Sequence, residues 1–256
     1  MADTHLKHNA TGYADALVCE AEGLTCLASA LEEAGVVGIG VPKVYRVDET
    51  ELEITAIRAS RGSDQAREVL GEGLACLHRL SQSGYGWSRG NYIGLSPQPN
   101  RWCDSWGEFF VRDRLGFQVS RVRDASQRAR FRKVLDEHGN RLMEWLDTHC
   151  GHPSLLHGDL WNGNVLFDAQ GPWLIDPAVY CGDREADIAM TEMFGWLGRP
   201  FYEAYDRRYP RTPVYERKRE VYNLYHYLNH YNLFGGGYLG GCQAGMAAIE
   251  SIGRGG

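Results

Sequence analysis

The stretch from Ser154 to Asp176 constrains the fold more than any other part of the chain. It reads Ser-Leu-Leu-His-Gly-Asp-Leu-Trp-Asn-Gly-Asn-Val-Leu-Phe-Asp-Ala-Gln-Gly-Pro-Trp-Leu-Ile-Asp. Two apolar runs, 165–167 and 173–175, flank the turn-forming Asp168-Ala-Gln-Gly-Pro172. Apolar runs on either side of clustered turn residues predict a β-hairpin. Folding it about residue 170 sets residues whose numbers sum to 340 opposite each other, so that Asn164 faces Asp176. An amide oxygen and a carboxylate then meet at the hairpin's open end. Asp159 stands five residues before Asn164, in the tight turn His157-Gly158-Asp159.

Phosphoryl transfer asks for such a set. A carboxylate must orient the attacking hydroxyl and take its proton, and oxygen ligands must hold Mg²⁺ against a triphosphate. The rest of catalysis is positioning and charge neutralisation. On this reading Asp159 is the catalytic base, while Asn164 and Asp176 hold the metal. Taken singly, Asp159 and Asn164 read as turn residues and Asp176 as a strand-end cap. Their joint spacing around a hairpin favours the catalytic reading.

The remaining chain supplies a small mixed region and a larger helical one. Leu17, Leu24, Leu27 and Leu31 lie at helical spacing in a helix over about 13–34. Glu20 falls on that apolar face. Either it points inward and needs a cation, or it lies at the edge of the face and reaches water. The runs 41–47 and 51–57, with Asp48-Glu-Thr50 between them, predict a hairpin. Leucine and aromatic stripes follow: Leu70, Leu74, Leu77 and Leu80; then Trp106, Phe109, Phe110 and Leu115; then Phe131, Val134, Leu135, Leu142, Trp145 and Leu146. Each predicts a helix. The fold class is α+β, a small mixed lobe followed by a larger helical one, with the boundary near residues 58–63.

Composition narrows the function. A formal net charge of −6 argues against a nucleic-acid partner. No apolar run approaches the roughly 18 residues that span a bilayer, and Met1–Asn9 lacks the apolar core of a secretory signal. A cytoplasmic protein is expected. The seven cysteines contain no C-x-x-C pair and read as small hydrophobes in a reducing compartment.

Longer strings carry a resemblance. The Asp-x₄-Asn spacing matches the catalytic loop of protein kinases, and His-Gly-Asp is similar to the aminoglycoside and choline phosphotransferases. The run from Leu155 to Asn164, then Ile175-Asp-Pro-Ala-Val-Tyr180 and Gly182-Asp-Arg-Glu-Ala-Asp-Ile-Ala-Met190, resembles the fructosamine-3-kinase (ketosamine kinase) family. Pro97-Gln-Pro-Asn100, Trp106, Phe109-Phe110, Tyr227-Leu-Asn229 and Phe234-Gly235 extend it over nearly the whole chain.

The resemblance implies a protein-kinase-like two-lobe fold: a truncated N-terminal ATP-binding lobe over 1–60, its first hairpin missing, a helical C-terminal lobe over 61–256 that carries the catalytic loop and substrate site, and ATP and Mg²⁺ between them. It implies ATP-dependent phosphorylation of the sugar 3-hydroxyl of small-molecule or protein-bound ketosamines, leading to deglycation. The family's ATP-holding lysine and its glutamate partner fall on Lys7 and Glu20, 13 residues apart. Lys7 would touch the α- and β-phosphates and Glu20 would hold it there. Read alone, Lys7 is an ordinary exposed lysine. Asp187 and His157 are expected to brace the catalytic loop, and His78 to be a satisfied core histidine. Trp161 either stacks on the substrate sugar or packs as a core or interface aromatic. Tyr222, Tyr225, Tyr227 and Tyr231 read as helix packing. The family places a glycine-containing phosphate hairpin before the lysine, whereas here six residues precede Lys7. Weak ATP affinity, poor turnover and an exposed sheet edge are the expectations. The rival readings are a kinase for another small alcohol, aminoglycoside- or choline-like, and a catalytically impaired ATP-binding relic.

Overall fold

Alternating side chains and a self-capping turn build the first sheet. The structure, a computed structural model, describes residues 3–254. Strand β1 (Thr4–His8) pairs antiparallel with β3 (Glu51–Thr55), which pairs antiparallel with β2 (Val44–Val47), giving the order β1-β3-β2. The β2–β3 turn forms because Asp48 Oδ1 accepts from the Thr50 and Glu51 amides at 2.8 and 2.9 Å. That is the local bonding that makes aspartate a turn residue. Among the described residues β1 is an edge strand, and its Leu6 is 42 % exposed.

Helix α1 (Ala16–Glu33) joins two cores. Its Leu17, Ala21 and Leu24 pack with Leu52 and Ile54 of β3. Its Leu27, Ala30 and Leu31 belong to another cluster, with Leu70, Leu74 and Leu77 of α2 (Asp64–Arg79). Ser63 caps α2, its hydroxyl accepting from the Ala66 amide at 3.1 Å.

A short hairpin follows, β4 (Asn91–Ile93) with β5 (Ser96–Gln98). Then comes a helical run in three geometries: α3 (Trp106–Glu108), a π-helix over Phe109–Gly116, and α4 (Phe117–Ser120). The apolar stripe at Trp106–Leu115 therefore lies largely on a wider helix than its spacing predicts. Trp106, Phe109, Phe110 and Leu115 are all buried nonetheless. They join Phe131 and Leu142 of α5 (Ala125–His149) and Tyr222 and Tyr225 of a later helix in the largest core cluster.

Strand β6 (Ser154–Leu156) pairs with β9 (Tyr180–Gly182) and frames the hairpin of β7 (Val165–Phe167) and β8 (Pro172–Leu174). The predicted hairpin is present, but its register differs. Val165 faces Leu174 and Phe167 faces Pro172, so paired numbers sum to 339, not 340. The reason lies in the turn. Asp168 N–H donates to Gly171 O at 3.0 Å, which closes a two-residue turn at Ala169-Gln170 and puts the centre between residues. Asn164 thus stands opposite Ile175, whose amide donates to Asn164 O at 3.1 Å, and Asp176 lies one residue beyond. Helices α6 (Glu185–Thr191), α7 (Arg199–Arg208), α8 (Tyr215–Phe234) and α9 (Leu239–Arg254) complete the chain.

Candidate active site

The turn after β6 is held by backbone rather than by its own side chains. Gly158 has φ +81°, and a Cβ there would lie 2.1 Å from Ala178 O. Asp187, on α6, accepts the amides of both His157 (2.7 Å) and Gly158 (2.9 Å). Burial alone would raise its carboxyl. Its hydrogen bond to His78, the nearby imidazoles and the Gly158 amide outweigh that and hold it below the usual carboxylate range. His78 is fully buried between Tyr205 Oη (2.9 Å) and Asp187 (3.4 Å). His157 Nε2–H donates to Ile175 O at 2.9 Å, and burial pushes its pKa down. Nδ1 is then the acceptor facing the Asp159 amide at 3.3 Å. Asp187 and His157 thus hold the loop, as the resemblance implies, and His78 is the satisfied core histidine expected.

Asp159 emerges from this turn beside Asn164. The Asn164 amide group donates to Asp159 O at 2.8 Å and to Asp159 Oδ2 at 3.1 Å. Scarcity of water around the Asp159 carboxyl pushes its pKa up to about 7; the Asn164 bond opposes the shift and the charges of Asp176 and Asp187 add to it. A carboxyl tuned to that range suits proton transfer near neutral pH. With its nitrogen committed, Asn164 turns its oxygen the other way. Asp176 follows the hairpin with φ +52°, the one non-glycine residue with positive φ among the described residues. Such a backbone is uncommon outside glycine and marks functional segments more often than others.

Lys7 and Glu20 meet, the pairing that the family resemblance implies. Lys7 Nζ lies 2.6 Å from Glu20 Oε2 and 3.0 Å from Asp176 Oδ1. This resolves the orientation of Glu20, which points inward to a cation. Burial works against the Lys7 charge, but the two carboxylates outweigh it and raise its pKa. Burial raises Glu20, with Lys7 opposing. The contact between Lys7 and Asp176, 169 residues apart, has no signal in the sequence.

All six residues singled out by sequence, Lys7, Glu20, Asp159, Trp161, Asn164 and Asp176, line one cavity of about 330 Å³. Trp161 is 36 % exposed and touches Phe194 edge-on, so it is a wall of the cavity and not a core residue. The donor set fits Mg²⁺. Asn164 Oδ1 and the Asp176 carboxylate offer hard oxygens, and two protein ligands suit an ion that keeps water and phosphate oxygens as its others. No cluster of three histidine, cysteine or acidic ligands occurs among the described residues, which disfavours a softer ion in an all-protein cage.

Two further cavities adjoin this one. The first, about 310 Å³, is mainly apolar and lies between Ile54–Ile57 at the end of β3 and Leu166 and Ile175 of the hairpin, with His5, Lys7 and Asp176 also in its lining. The second, about 340 Å³, is lined by Asp159 and Trp161 with Met190, Phe194, His230 and Tyr238. The sequence reading assigned none of these apolar residues to a site. Ile54, Leu166 and Ile175 look like ordinary strand core, and His230 directly follows the Tyr227-Leu-Asn229 match.

A model of the family described as fructosamine kinase matches residues 2–251. A protein named probable ketoamine kinase from Vibrio parahaemolyticus is 44% identical over 182 residues, 71% of this chain and 62% of its own length. A chloroplastic protein-ribulosamine 3-kinase from Oryza sativa subsp. indica is 40% identical over 214 residues, 78% of this chain and 60% of its own length. The chain thus spans less than two thirds of these relatives. A solved structure from Thermobifida fusca, described as a fructosamine-3-kinase, superposes with TM-score 0.83 at 28% identity, covering 98% of this chain and 86% of its own. An aminoglycoside phosphotransferase mutant, at 15% identity and TM-score 0.58 over 99% and 87% of the two chains, shares the kinase-like fold.

Proposed function

Because the chain belongs to the fructosamine kinase family, we propose that it transfers the γ-phosphoryl group of ATP to the sugar 3-hydroxyl of a ketosamine. The supporting observation is convergence. A proton acceptor, two hard oxygen donors and a braced lysine come from four separate segments and share one cavity. Relatives named ketoamine kinase and protein-ribulosamine 3-kinase favour ketosamines over other alcohols.

The chain's own groups divide the work. Asp159 sits at the junction with the aromatic cavity, where an acceptor hydroxyl would enter, and its carboxylate takes the hydroxyl proton. Asn164 holds that carboxylate in one rotamer through the 3.1 Å bond. Lys7, kept in place by Glu20, meets the α- and β-phosphates. The apolar cavity at Ile54–Ile57 receives the nucleobase. Asn164 and Asp176 would hold Mg²⁺, which neutralises the charge that builds on the phosphates. Residues 1–60 serve as the nucleotide lobe and 61–256 as the helical lobe. The product carries phosphate next to the ketose carbonyl. Enolisation towards the amine-bearing carbon expels the phosphate, and water then hydrolyses the resulting imine, which frees the amine and leaves a dicarbonyl sugar; that is deglycation. A reducing compartment, the cytoplasm, is the proposed setting; it is supported by seven cysteines that are all unpaired. No helix among the described residues is long and apolar enough to cross a membrane.

The test is ADP release with fructosamine, ribulosamine and aminoglycoside acceptors, for wild type and Asp159→Asn. Ketosamine-dependent ADP release that falls on the order of 10²–10⁴-fold in the variant is expected. Release that depends on an aminoglycoside instead, or a fully active Asp159→Asn, would overturn the proposal.

A further inference from the structure

The β4–β5 hairpin is fastened in a way its size does not require. Three-residue strands joined through Gly94-Leu95 form a marginal element on their own. Here buried amides pin the base. Asn91 Nδ2 donates to Val179 O at 2.8 Å, and Gln98 Nε2 donates to Ala178 O at 3.0 Å and to Asn91 Oδ1 at 2.8 Å. Tyr225 Oη donates to Gln98 Oε1 at 2.8 Å, and Arg114 reaches Pro99 O and Asn100 Oδ1, each at 2.7 Å. The residues gripped, 178 and 179, directly follow the Asp176 segment, and Ala178 N–H donates to His157 O at 2.9 Å. The hairpin is therefore fixed relative to both acids.

Its tip is apolar and uncovered. Leu95 is 49 % exposed, although burying a leucine is worth about 1.5–3 kcal/mol. Gly94, with φ +55°, makes the tight turn that presents it. Four residues line both the cavity of Lys7 and Asp176 and the aromatic cavity: Gly94, Leu95, Asp159 and Trp161. They surround the passage between the two. Two are apolar walls, one is the glycine of the turn and one is the acid.

From this placement we infer that Leu95 is a specificity-determining residue which, with Trp161, forms an apolar partition around Asp159, keeping water from the γ-phosphoryl group and admitting a sugar hydroxyl in its place. The inference rests on the proposed kinase function. In the productive step the 3-hydroxyl oxygen bonds to the γ-phosphorus, the bridging oxygen leaves with ADP, and the hydroxyl proton passes to Asp159. When water occupies the same position, the same bonds break and form, but the products are ADP and inorganic phosphate. Both nucleophiles are hydroxyls that one carboxylate can deprotonate, so Asp159 does not discriminate between them. Exclusion must come from the walls. A partition on a clamped hairpin excludes without needing to move.

The test compares Leu95→Ser with Leu95→Met. Fructosyl-glycine is the acceptor, with ADP and phosphoryl transfer measured separately and fructosyl-glycine affinity measured by calorimetry without nucleotide. Leu95 is half exposed, so the melting temperature of Leu95→Ser should match wild type. In that variant the ratio of ATP hydrolysed to acceptor phosphorylated is expected to rise about tenfold, the size of effect a few methylenes exert in a pocket. The Kd and KM for fructosyl-glycine should rise, KM for ATP should stay within about twofold, and Leu95→Met should restore coupling. If wild type phosphorylates the adduct and Leu95→Ser does so with unchanged coupling and affinity, the partition is wrong and the kinase reading stands. If wild type neither binds nor phosphorylates any ketosamine, both fall together.

Discussion

Gly158 occupies a backbone conformation that a side chain would oppose twice over. Its φ of +81° is strained for any L-residue, and a methyl group would lie 2.1 Å from Ala178 O, a backbone atom that cannot step aside. Gly158→Ala should therefore cost about 2–4 kcal/mol and displace Asp159 even in the molecules that fold. Urea unfolding and ADP release on the same preparation would measure both. A variant with unchanged midpoint and activity would contradict this account of the turn. At this scale much was legible. The Asp-x₄-Asn spacing lies within a short window where sequence pattern and chemistry coincide, and the pairing of Lys7 with Glu20 was legible only through the family resemblance. The Lys7–Asp176 contact was not legible, because nothing in either neighbourhood encodes a partner from the other end of the chain.

Elements show the same division. Two apolar runs around a turn cluster announced the β7–β8 hairpin, but periodicity could not choose between registers one residue apart. The Asp168–Gly171 hydrogen bond made that choice, and it moved Asp176 off the ladder. The β4–β5 hairpin gave no strand signal. Its strands are three residues long, one carries Pro97, and the buried Asn91, Ser96 and Gln98 resemble a polar loop. The π-helix was hidden because an apolar stripe reports a buried face and not the width of the helix. Helix α6 carries the clearest element-level consequence. Its Asp187 accepts two backbone amides with no other acceptor at hand, so Asp187→Asn presents an amide donor to one of them. Leaving a buried donor without an acceptor costs about 1–3 kcal/mol. A loss of that size in the urea unfolding free energy is expected, with kcat reduced more than KM for ATP because the turn bearing Asp159 loosens. An unaltered unfolding curve would show that the brace is dispensable.

At the scale of the whole molecule, acid should unfold the protein earlier than its carboxylates alone would suggest. His78, His157 and His226 are buried, and burial lowers the pKa of each, that of His226 to about 3. In the unfolded chain they titrate near 6.5. Below that value the unfolded state binds protons that the folded state refuses. The contribution of these histidines is therefore fully present above about pH 6.5 and is lost as pH drops through it. Each histidine can contribute a slope of about 1.4 kcal/mol per pH unit, so the three together reach about 4. Asp187, whose folded pKa is lowered, adds a further loss only near and below pH 4. Asp159 opposes this: its folded pKa is raised to about 7, so it takes up a proton only in the folded state over the same window and offsets about 2 kcal/mol. In Asp159→Asn, which lacks that offset, unfolding free energies at pH 7.5 and 5.5 should differ by about 2–4 kcal/mol; equal values in that variant would mean that these imidazoles titrate freely. The small sheet and the helical body are also joined by more than a linker. Helix α1 is embedded at one end among β3 side chains and at the other among the leucines of α2, and Glu20 lies on the first of these stretches. It acts as an axle fixed in both wheels. Any rocking of the sheet away from the 157–164 loop would work against the packing of α1 on one side or the other. The packing of α1 thus favours one spacing between the lysine on β1 and the acid at 159 from the moment the chain folds, and on the proposed function a nucleotide would meet that spacing ready-made.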